Sequence, residues 1–179
     1  MEDSPIANHV ELIREVFLYA NRFRGKRFVV QIGSGIVEDP RFSSLAKDLA
    51  QLHKSGIHLV LVPAAGQHID YVLDEFDVES RRVRGVRITS DEAIPLVKMA
   101  AFDVANKVMT QLTGVHIDAL MGNWVKARAI GVRDGVDYQN AGLVAGIQTT
   151  LLDKIIAEGH MPILPCIGWS ATGKPYNIS

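Results

Sequence analysis

The stretch Phe28-Val29-Val30-Gln31-Ile32-Gly33-Ser34-Gly35 decides the fold class of this chain. It begins as a short run of β-branched and aromatic residues and ends in closely spaced glycines, a pattern typical of a buried parallel strand that enters a tight turn. A helical pattern follows, with Asp39 as cap, Pro40 at the first helical position and Gly56 as the stop. This order predicts the first strand-turn-helix unit of an α/β protein.

A second unit of the same kind follows directly. Residues 58–62 form another β-rich run, which leads into the small-residue turn Pro63-Ala64-Ala65-Gly66 and a further helical segment. Because strands that alternate with helices in this way pair in parallel, the two units predict a parallel sheet. Later segments extend the pattern, with a long helix from Ser90 to Gly114, strands near residues 116–120, 125–130 and 143–144, a helix over 149–158, and a last core strand over 161–167.

An amphipathic helix is predicted within residues 1–25, ahead of the α/β units. Its apolar residues Val10, Ile13 and Phe17 recur on one face at helical spacing. Residues 1–4 lack the basic-then-apolar start of a signal peptide.

The composition indicates one globular domain and excludes several functional classes. The 179 residues are 47% hydrophobic, and 19 basic and 20 acidic side chains give a net charge of -1, so no broad basic field is available for nucleic acid. Cys166 is the only cysteine, and the apolar runs are shorter than the roughly 20 residues of a membrane helix. We expect a cytoplasmic protein whose partners are small molecules or other subunits, with neither nucleic acid nor membrane among them.

Two loops at the ends of predicted strands are candidates for an anion site. These are Gly33-Ser34-Gly35 and Ala64-Ala65-Gly66. Ligands of parallel sheets usually bind at this edge, although glycines also serve any tight turn, so both interpretations stay open. The dinucleotide-binding fingerprint fails, because residues 33–38 contain no third glycine. A Rossmann dehydrogenase is therefore not expected.

Arginines cluster between residues 81 and 87, where they either clamp a carboxylate or form an ion-paired, solvated surface. Arg87 is the strongest candidate, because Ile88-Thr89-Ser90 leads from it into a helix start. The six histidines show no metal-ligand spacing, so no metal ligand is assigned. Asp134, Asp137 and Tyr138 either form a polar site or belong to an Asp-Gly turn of a kind that is commonly structural, and both interpretations stay open.

The order of several longer motifs is more specific than any one loop. The motifs are Arg24-Gly25-Lys26, Val86-Arg87-Ile88-Thr89, Asn106-Lys107, Gly122-Asn123, the segments 131–138 and 157–165, and Gly173-Lys174-Pro175-Tyr176-Asn177-Ile178. Over essentially all 179 residues, this order resembles the amino-acid-kinase family, in the branch of acetylglutamate kinases and N-acetylglutamate synthases. The resemblance implies a three-layer α/β/α sandwich with a mostly parallel central sheet. Residues 26–179 would be its incomplete, substrate-binding lobe.

The resemblance also implies which residues form the site. The implied substrate-binding residues are Ala64, Ala65, Gly66, Arg87 and Asn177, and the loop Gly33-Ser34-Gly35 is implied to be the remnant of a phosphate loop. Kinase members carry a lysine at the position of Gln31, where its charge stabilises the transferring phosphoryl group. Gln31 supplies no cation, and loss of one such donor costs about 3 kcal/mol. No catalytic residue is therefore assigned. The kinase motif also expects an asparagine where this chain has Ser179.

These departures resemble the synthase members, in which the kinase-like domain is regulatory. In those members a separate C-terminal acetyltransferase domain, which is absent from these 179 residues, joins acetyl-CoA to L-glutamate in the first step of arginine biosynthesis. The hypothesis implies an inactive N-terminal fragment that needs no cofactor itself, with acetyl-CoA used by the full-length parent. Two alternatives remain, namely a divergent acetylglutamate kinase that uses ATP on N-acetyl-L-glutamate, and a non-enzymatic arginine sensor.

The N-terminal helix has an implied role as well. In arginine-sensitive members a comparable helix joins dimers into larger rings and senses arginine. Tyr19 lies where an aromatic residue of that helix contacts the regulatory site, although it could equally pack against a neighbouring helix. The implied partners are L-glutamate or N-acetylglutamate, arginine as an inhibitor, and further copies of the same chain.

Overall fold

The computed structural model describes residues 5–178, and the side chains of residues 9–178. Ser179, at the end of the kinase-type motif, lies outside this range. The helices are α1 (Pro5–Phe23), α2 (Phe42–Lys54), α3 (Gly66–Glu75), α4 (Ala93–Thr113) and α5 (Thr149–Ala157). The strands are β1 (Arg27–Ile32), β2 (His58–Pro63), β3 (Arg82–Val83), β4 (Val86–Arg87), β5 (Ala119–Met121), β6 (Val125–Ala129), β7 (Val132–Arg133), β8 (Val136–Asp137), β9 (Ala141–Ile147), β10 (Met161–Ile163), β11 (Ile167–Trp169) and β12 (Pro175–Ile178).

A parallel sheet lies at the centre of the fold, with the strand order β1-β2-β10-β5. Strand β2 is apolar on both faces: Leu59 and Leu61 belong to the core under α2, α3 and α4, whereas Val60 packs on the opposite side with residues of α5. Helices therefore cover both faces of the sheet, as parallel strands require. The predicted α/β fold with a parallel central sheet is confirmed.

A second four-stranded sheet stands beside the first. Strands β6, β9, β11 and β12 close into a barrel in the order β11-β12-β9-β6. Two glycines allow the strands to approach each other closely. A Cβ atom on Gly168 would lie 2.6 Å from the Cβ atom of Ala127, and one on Gly142 would lie 2.6 Å from the Cβ atom of Tyr176. Since β12 also carries Asn177, these contacts set the position of a predicted site residue.

The prediction of a single core strand over residues 161–167 is wrong. The chain divides there into β10, which belongs to the parallel sheet, and β11, which belongs to the barrel. Leu164 donates its backbone N–H to the carbonyl oxygen of Leu61, and Pro165, which follows, has no N–H with which to continue a ladder. The proline therefore ends the pairing, and the chain passes to the other sheet.

The start of α2 also differs from the prediction. The helix begins at Phe42 and not at Pro40, and Arg41 is its N-cap residue. The carboxylate of Asp39 accepts hydrogen bonds from the backbone N–H and the guanidinium of Arg41. Asp39 thus organises the turn that precedes the helix.

Helix α1 contributes little to the core. Its predicted apolar face is exposed, with Val10, Ile13 and Phe17 between 42% and 66% accessible. The helix is joined to the fold at its end, where the ring of Phe23 packs edge-on against Phe28 at 5.4 Å. Among the described helices, none combines the length and the apolar character needed to cross a bilayer.

The barrel glycines yield a test of stability. We expect Gly168→Ala to lower the free energy of unfolding by about 1–3 kcal/mol, because the new methyl group overlaps Ala127 and must force β6 and β11 apart. Chemical denaturation followed by circular dichroism measures the change.

Gly146→Ala in β9 is the matched control. A Cβ atom there meets nothing within 4 Å, and the backbone is not in the left-handed region, so this variant should be neutral or stabilised by up to about 1 kcal/mol. Equal stability of the two variants would contradict the close-approach argument.

Candidate functional site

A cavity of about 670 Å³ lies over the α5 side of the central sheet and reaches the loop after β2. One end is polar and is bounded by the β3–β4 hairpin and β12. The remainder is apolar, with walls from β1, β2, β9 and α5. The cavity therefore combines a localised polar end with a long apolar trough.

Most of the residues implied by the family resemblance line this one cavity. They are Gln31, Ala64, Ala65, Gly66, Arg87 and Asn177. These residues come from β1, the β2–α3 loop, β4 and β12, so they converge only after the sheet and barrel have formed.

Arg87 is the most strongly positioned cation of the cavity, with a residue exposure of only 3%. One guanidinium nitrogen, Nη1, donates to the carboxylate of Asp70 and to the hydroxyl oxygen of Ser80. The other, Nη2, donates to the carbonyl oxygen of Gly66 at 3.1 Å. A buried cation is tolerated only when it is paired in this way, so the orientation of the guanidinium is set before any ligand arrives.

Asp70 holds the polar end of the cavity together from helix α3. Its carboxylate accepts hydrogen bonds from Ser80, Arg82 and Arg87. Partial burial alone would raise the pKa of this carboxyl, but the hydrogen bonds from Arg87 and Ser80 and the charges of both arginines hold the pKa below its usual value. Asp70 therefore stays ionised at neutral pH.

Asn177, on β12, is positioned by the segment that connects the β3–β4 hairpin to α4. Its amide Nδ2 donates to the hydroxyl oxygen of Thr89 at 3.1 Å, and its backbone N–H donates to the carbonyl oxygen of Asn140. Thr89 is fully buried, and its carbonyl oxygen accepts the backbone N–H of Asn140. A buried polar network thus joins β12 to the β4–α4 connection.

The side chain of Gln31 lines the cavity but carries no charge. It lies on β1 opposite Val62 of β2, in the parallel register. The single arginine of β1, Arg27, is paired with Asp153 at 2.6 Å. Positive charge that can attract an anion is accordingly concentrated at the hairpin, in Arg82 and Arg87, near the N-terminal end of α3.

The loop Gly33-Ser34-Gly35 lies apart from this cavity. Ser34 instead lines a separate hollow of about 370 Å³ with Gln67, His68 and Lys107. The Lys107 ammonium donates to Glu38 at 2.6 Å and also pairs with Asp103 at 3.2 Å. The bond to Glu38 raises the pKa of Lys107. This lysine therefore remains charged but is already neutralised by two carboxylates.

Tyr19 is also outside the cavity. Its side chain is exposed and stacks on Phe23 of the same helix, with ring centroids 6.4 Å apart. The structure thus brings together the implied substrate-binding residues, but neither the glycine loop nor the aromatic residue of α1.

The sequence analysis did not identify several residues that contact or line the candidate site, and Asp70 is the most important of them. The available signal was an acidic residue one helical turn after Gly66, followed later in the chain by the arginine cluster of residues 81–87. Cys166 also lines the cavity, together with Arg87 and Asn177, and burial raises the pKa of its thiol. A raised pKa keeps the sulfur protonated and unreactive.

The groups at the polar end of the cavity are suited to binding an anion. Two arginines, an asparagine and a helix N-terminus can bind a carboxylate or a phosphate. Across residues 9–178, no set of three or more histidine, cysteine, aspartate or glutamate side chains is arranged to hold a metal ion.

Comparison with known proteins agrees with this architecture. The chain is 33% identical over 179 residues to an amino-acid acetyltransferase of Shigella flexneri, and the match covers 95% of this chain and 40% of that protein. N-acetylglutamate synthase of Neisseria gonorrhoeae, solved with coenzyme A and N-acetyl-glutamate, superposes with a TM-score of 0.87 at 29% identity over 99% of this chain and 41% of that one. The same protein solved with coenzyme A and L-arginine gives a TM-score of 0.87 at 28% identity, over 43% of its length.

The chain thus spans about two fifths of the length of these relatives. A further match assigns the fold directly, since the description of the amino acid kinase family fits residues 26–179, which begin just after α1 and include every cavity residue named above. The chain belongs to the amino acid kinase family.

Proposed function

We propose that this chain is the N-terminal, kinase-like part of an N-acetylglutamate synthase. In the longer protein, a separate domain would transfer acetyl from acetyl-CoA to L-glutamate in the first step of arginine biosynthesis. The part described here would bind an amino-acid ligand and regulate that domain, without catalysing the transfer itself. Support comes from the similarity to amino-acid acetyltransferases over two fifths of their length.

The observation that carries the proposal is the neutral side chain of Gln31 inside the cavity. Phosphoryl transfer develops negative charge that a preorganised cation must stabilise. The lysine that lines a hollow with Ser34 of the glycine loop, Lys107, lies outside the cavity lining and is paired with two carboxylates. The site therefore retains the means to bind an anion and lacks the means to transfer a phosphoryl group.

The ligand that fits is a small carboxylate such as N-acetyl-L-glutamate or L-glutamate. Its carboxylate would pair with the guanidinium of Arg87, whose orientation is fixed by Asp70. The amide of Asn177 would donate or accept one further hydrogen bond. The loop Ala64-Ala65-Gly66 would close the site from the side of β2.

Helix α1 would serve assembly and arginine control. Its exposed apolar side chains, including Leu12, Val16, Phe17 and Tyr19, would pack against another copy of the chain. The synthase from Neisseria gonorrhoeae was solved with L-arginine, and a comparable response of this protein would need the longer chain.

Binding can be tested directly by calorimetry of this chain with N-acetyl-L-glutamate and L-glutamate. We expect Arg87→Lys to weaken binding about tenfold to a hundredfold, because lysine keeps the charge but loses the two-pronged contact with a carboxylate.

Arg81→Gln is the matched control for this measurement. Arg81 belongs to the same arginine cluster but is exposed and does not line the cavity, so its loss should leave the affinity unchanged. Thermal melts of both variants verify folding. Equal affinity of Arg87→Lys and the parent, with both folded, would rule out a carboxylate site at Arg87.

Loss of kinase chemistry gives a second test. We expect neither this chain nor its full-length gene product to phosphorylate N-acetyl-L-glutamate with ATP, because Gln31 supplies no cation. A coupled assay of ADP release measures this activity. The full-length product should release coenzyme A from acetyl-CoA when L-glutamate is added, and this chain alone should not.

Gln31→Lys provides the internal comparison, with Gln51→Lys on the exposed side of α2 as the control for an added charge elsewhere. Robust phosphorylation by the parent, raised further in Gln31→Lys alone, would favour a divergent acetylglutamate kinase and refute the synthase proposal.

A further inference from the structure

Two β-hairpins with similar turns stand side by side next to the cavity. The first consists of β3 and β4 around Arg84-Gly85, and the second of β7 and β8 around Asp134-Gly135. Both turns place their two central residues in the left-handed region, with φ of 51° and 82° in the first and 51° and 75° in the second. Two-residue turns of this kind match the twist of the strands that they join.

The two hairpins differ in their relation to the cavity. The first forms part of its wall, through Arg82, Gly85 and Arg87. The second does not line the cavity. It faces a polar cleft of about 440 Å³, whose lining includes Arg81 and Ile88 on one side and Gly135 and Asp137 on the other. The cleft therefore lies between the second hairpin and the residues that flank the first.

The hairpins are joined at both ends of this cleft. At the base, Thr89 forms a parallel bridge with Gln139, and the carbonyl oxygen of Thr89 accepts the backbone N–H of Asn140. At the tips, the guanidinium of Arg84 donates to the carboxylate of Asp134 at 2.5 Å. The base of the first hairpin is also anchored to α3, because Arg82 and Arg87 both bond to Asp70.

Arginine is an unusual choice at the left-handed position of Arg84. Such turns favour Asn, Asp or Gly, and a residue with a long side chain is disfavoured at positive φ. Asp134, at the equivalent position of the second hairpin, suits the conformation. An arginine kept at a conformational cost points to a role for its side chain, and its one hydrogen-bonded partner among the described side chains is Asp134.

We propose that the Arg84–Asp134 ion pair is a latch that holds the β3–β4 hairpin closed over the anion cavity, so that the β7–β8 hairpin, outside the cavity, controls access to it. The base, fixed by Asp70 and Thr89, is the pivot, and the tip is the part that moves. The identity of the ligand rests on the proposed function, whereas the latch itself does not.

An exposed ion pair of this kind is weak enough to open, since its side chains are 75% and 67% accessible. Pairs of this type shift an equilibrium by only about two- to fivefold, and salt screens them. A latch that must release a ligand needs this range, because a stronger bond would trap the closed state.

The test is hydrogen–deuterium exchange of the peptide that spans residues 79–89 in the ligand-free chain. Arg84→Gln and Asp134→Asn should each speed exchange of the hairpin amides about two- to fivefold, and the double charge reversal Arg84→Asp with Asp134→Arg should restore the parent rate. In the parent, high salt should mimic the single variants. Arg41→Gln, which removes the exposed pair with Asp39, should leave this peptide unchanged.

Binding of N-acetyl-L-glutamate provides the second readout, and the single latch variants should raise its dissociation rate by a similar factor. Parent-like exchange in both single variants would overturn the latch, and so would unchanged dissociation in variants whose hairpins exchange faster. If the parent binds neither N-acetyl-L-glutamate nor L-glutamate, the proposed function fails, and the ligand-free exchange data still decide whether the latch exists.

Discussion

The buried guanidinium of Arg87 is the constraint on which the polar end of this protein depends. A cation that is almost fully removed from water must have its charge and its donors satisfied by the protein. Asp70 of α3, Ser80 of the following loop and the carbonyl oxygen of Gly66 provide this compensation. Because these groups come from separate elements, one buried charge joins the hairpin, the β2–α3 turn and the helix into a single wall. The cavity is shaped by this compensation as much as by the sheet.

Neutralisation of charge also supports the proposed function, in which a kinase-like scaffold would bind an anion without transferring phosphate. Arg27 is paired with Asp153, and Lys107 is paired with Glu38 and Asp103. Arg82 and Arg87 of the hairpin, in contrast, share the single carboxylate of Asp70, which leaves an excess of positive charge there. Gln31 adds a polar group without charge. What remains is a fixed positive end beside an apolar trough, an electrostatic arrangement suited to holding an anion in its ground state.

The parallel units were predictable from the sequence because apolar periodicity and glycine stops are local signals. The division of residues 161–169 between two sheets was not, since β10 and β11 read as one apolar run and only pairing with distant strands separates them. At the site, Arg87 was found because it leads into a helix, and Asn177 through family resemblance. Asp70 was missed because its importance depends on a contact with residues 10 to 17 positions away in the chain. Side chains that act through such contacts carry no spacing pattern of their own.

The position of β10 in the middle of the central sheet has a consequence for synthesis of the chain. This strand inserts between β2 and β5, yet it is made after both of them and after two of the four barrel strands. Until it emerges from the ribosome, the apolar strand β2 must keep one edge unpaired. Such long-range pairing slows folding and leaves an aggregation-prone intermediate with an exposed strand edge. The interval between translation of β2 and translation of β10 is therefore the time when chaperones have the most to protect.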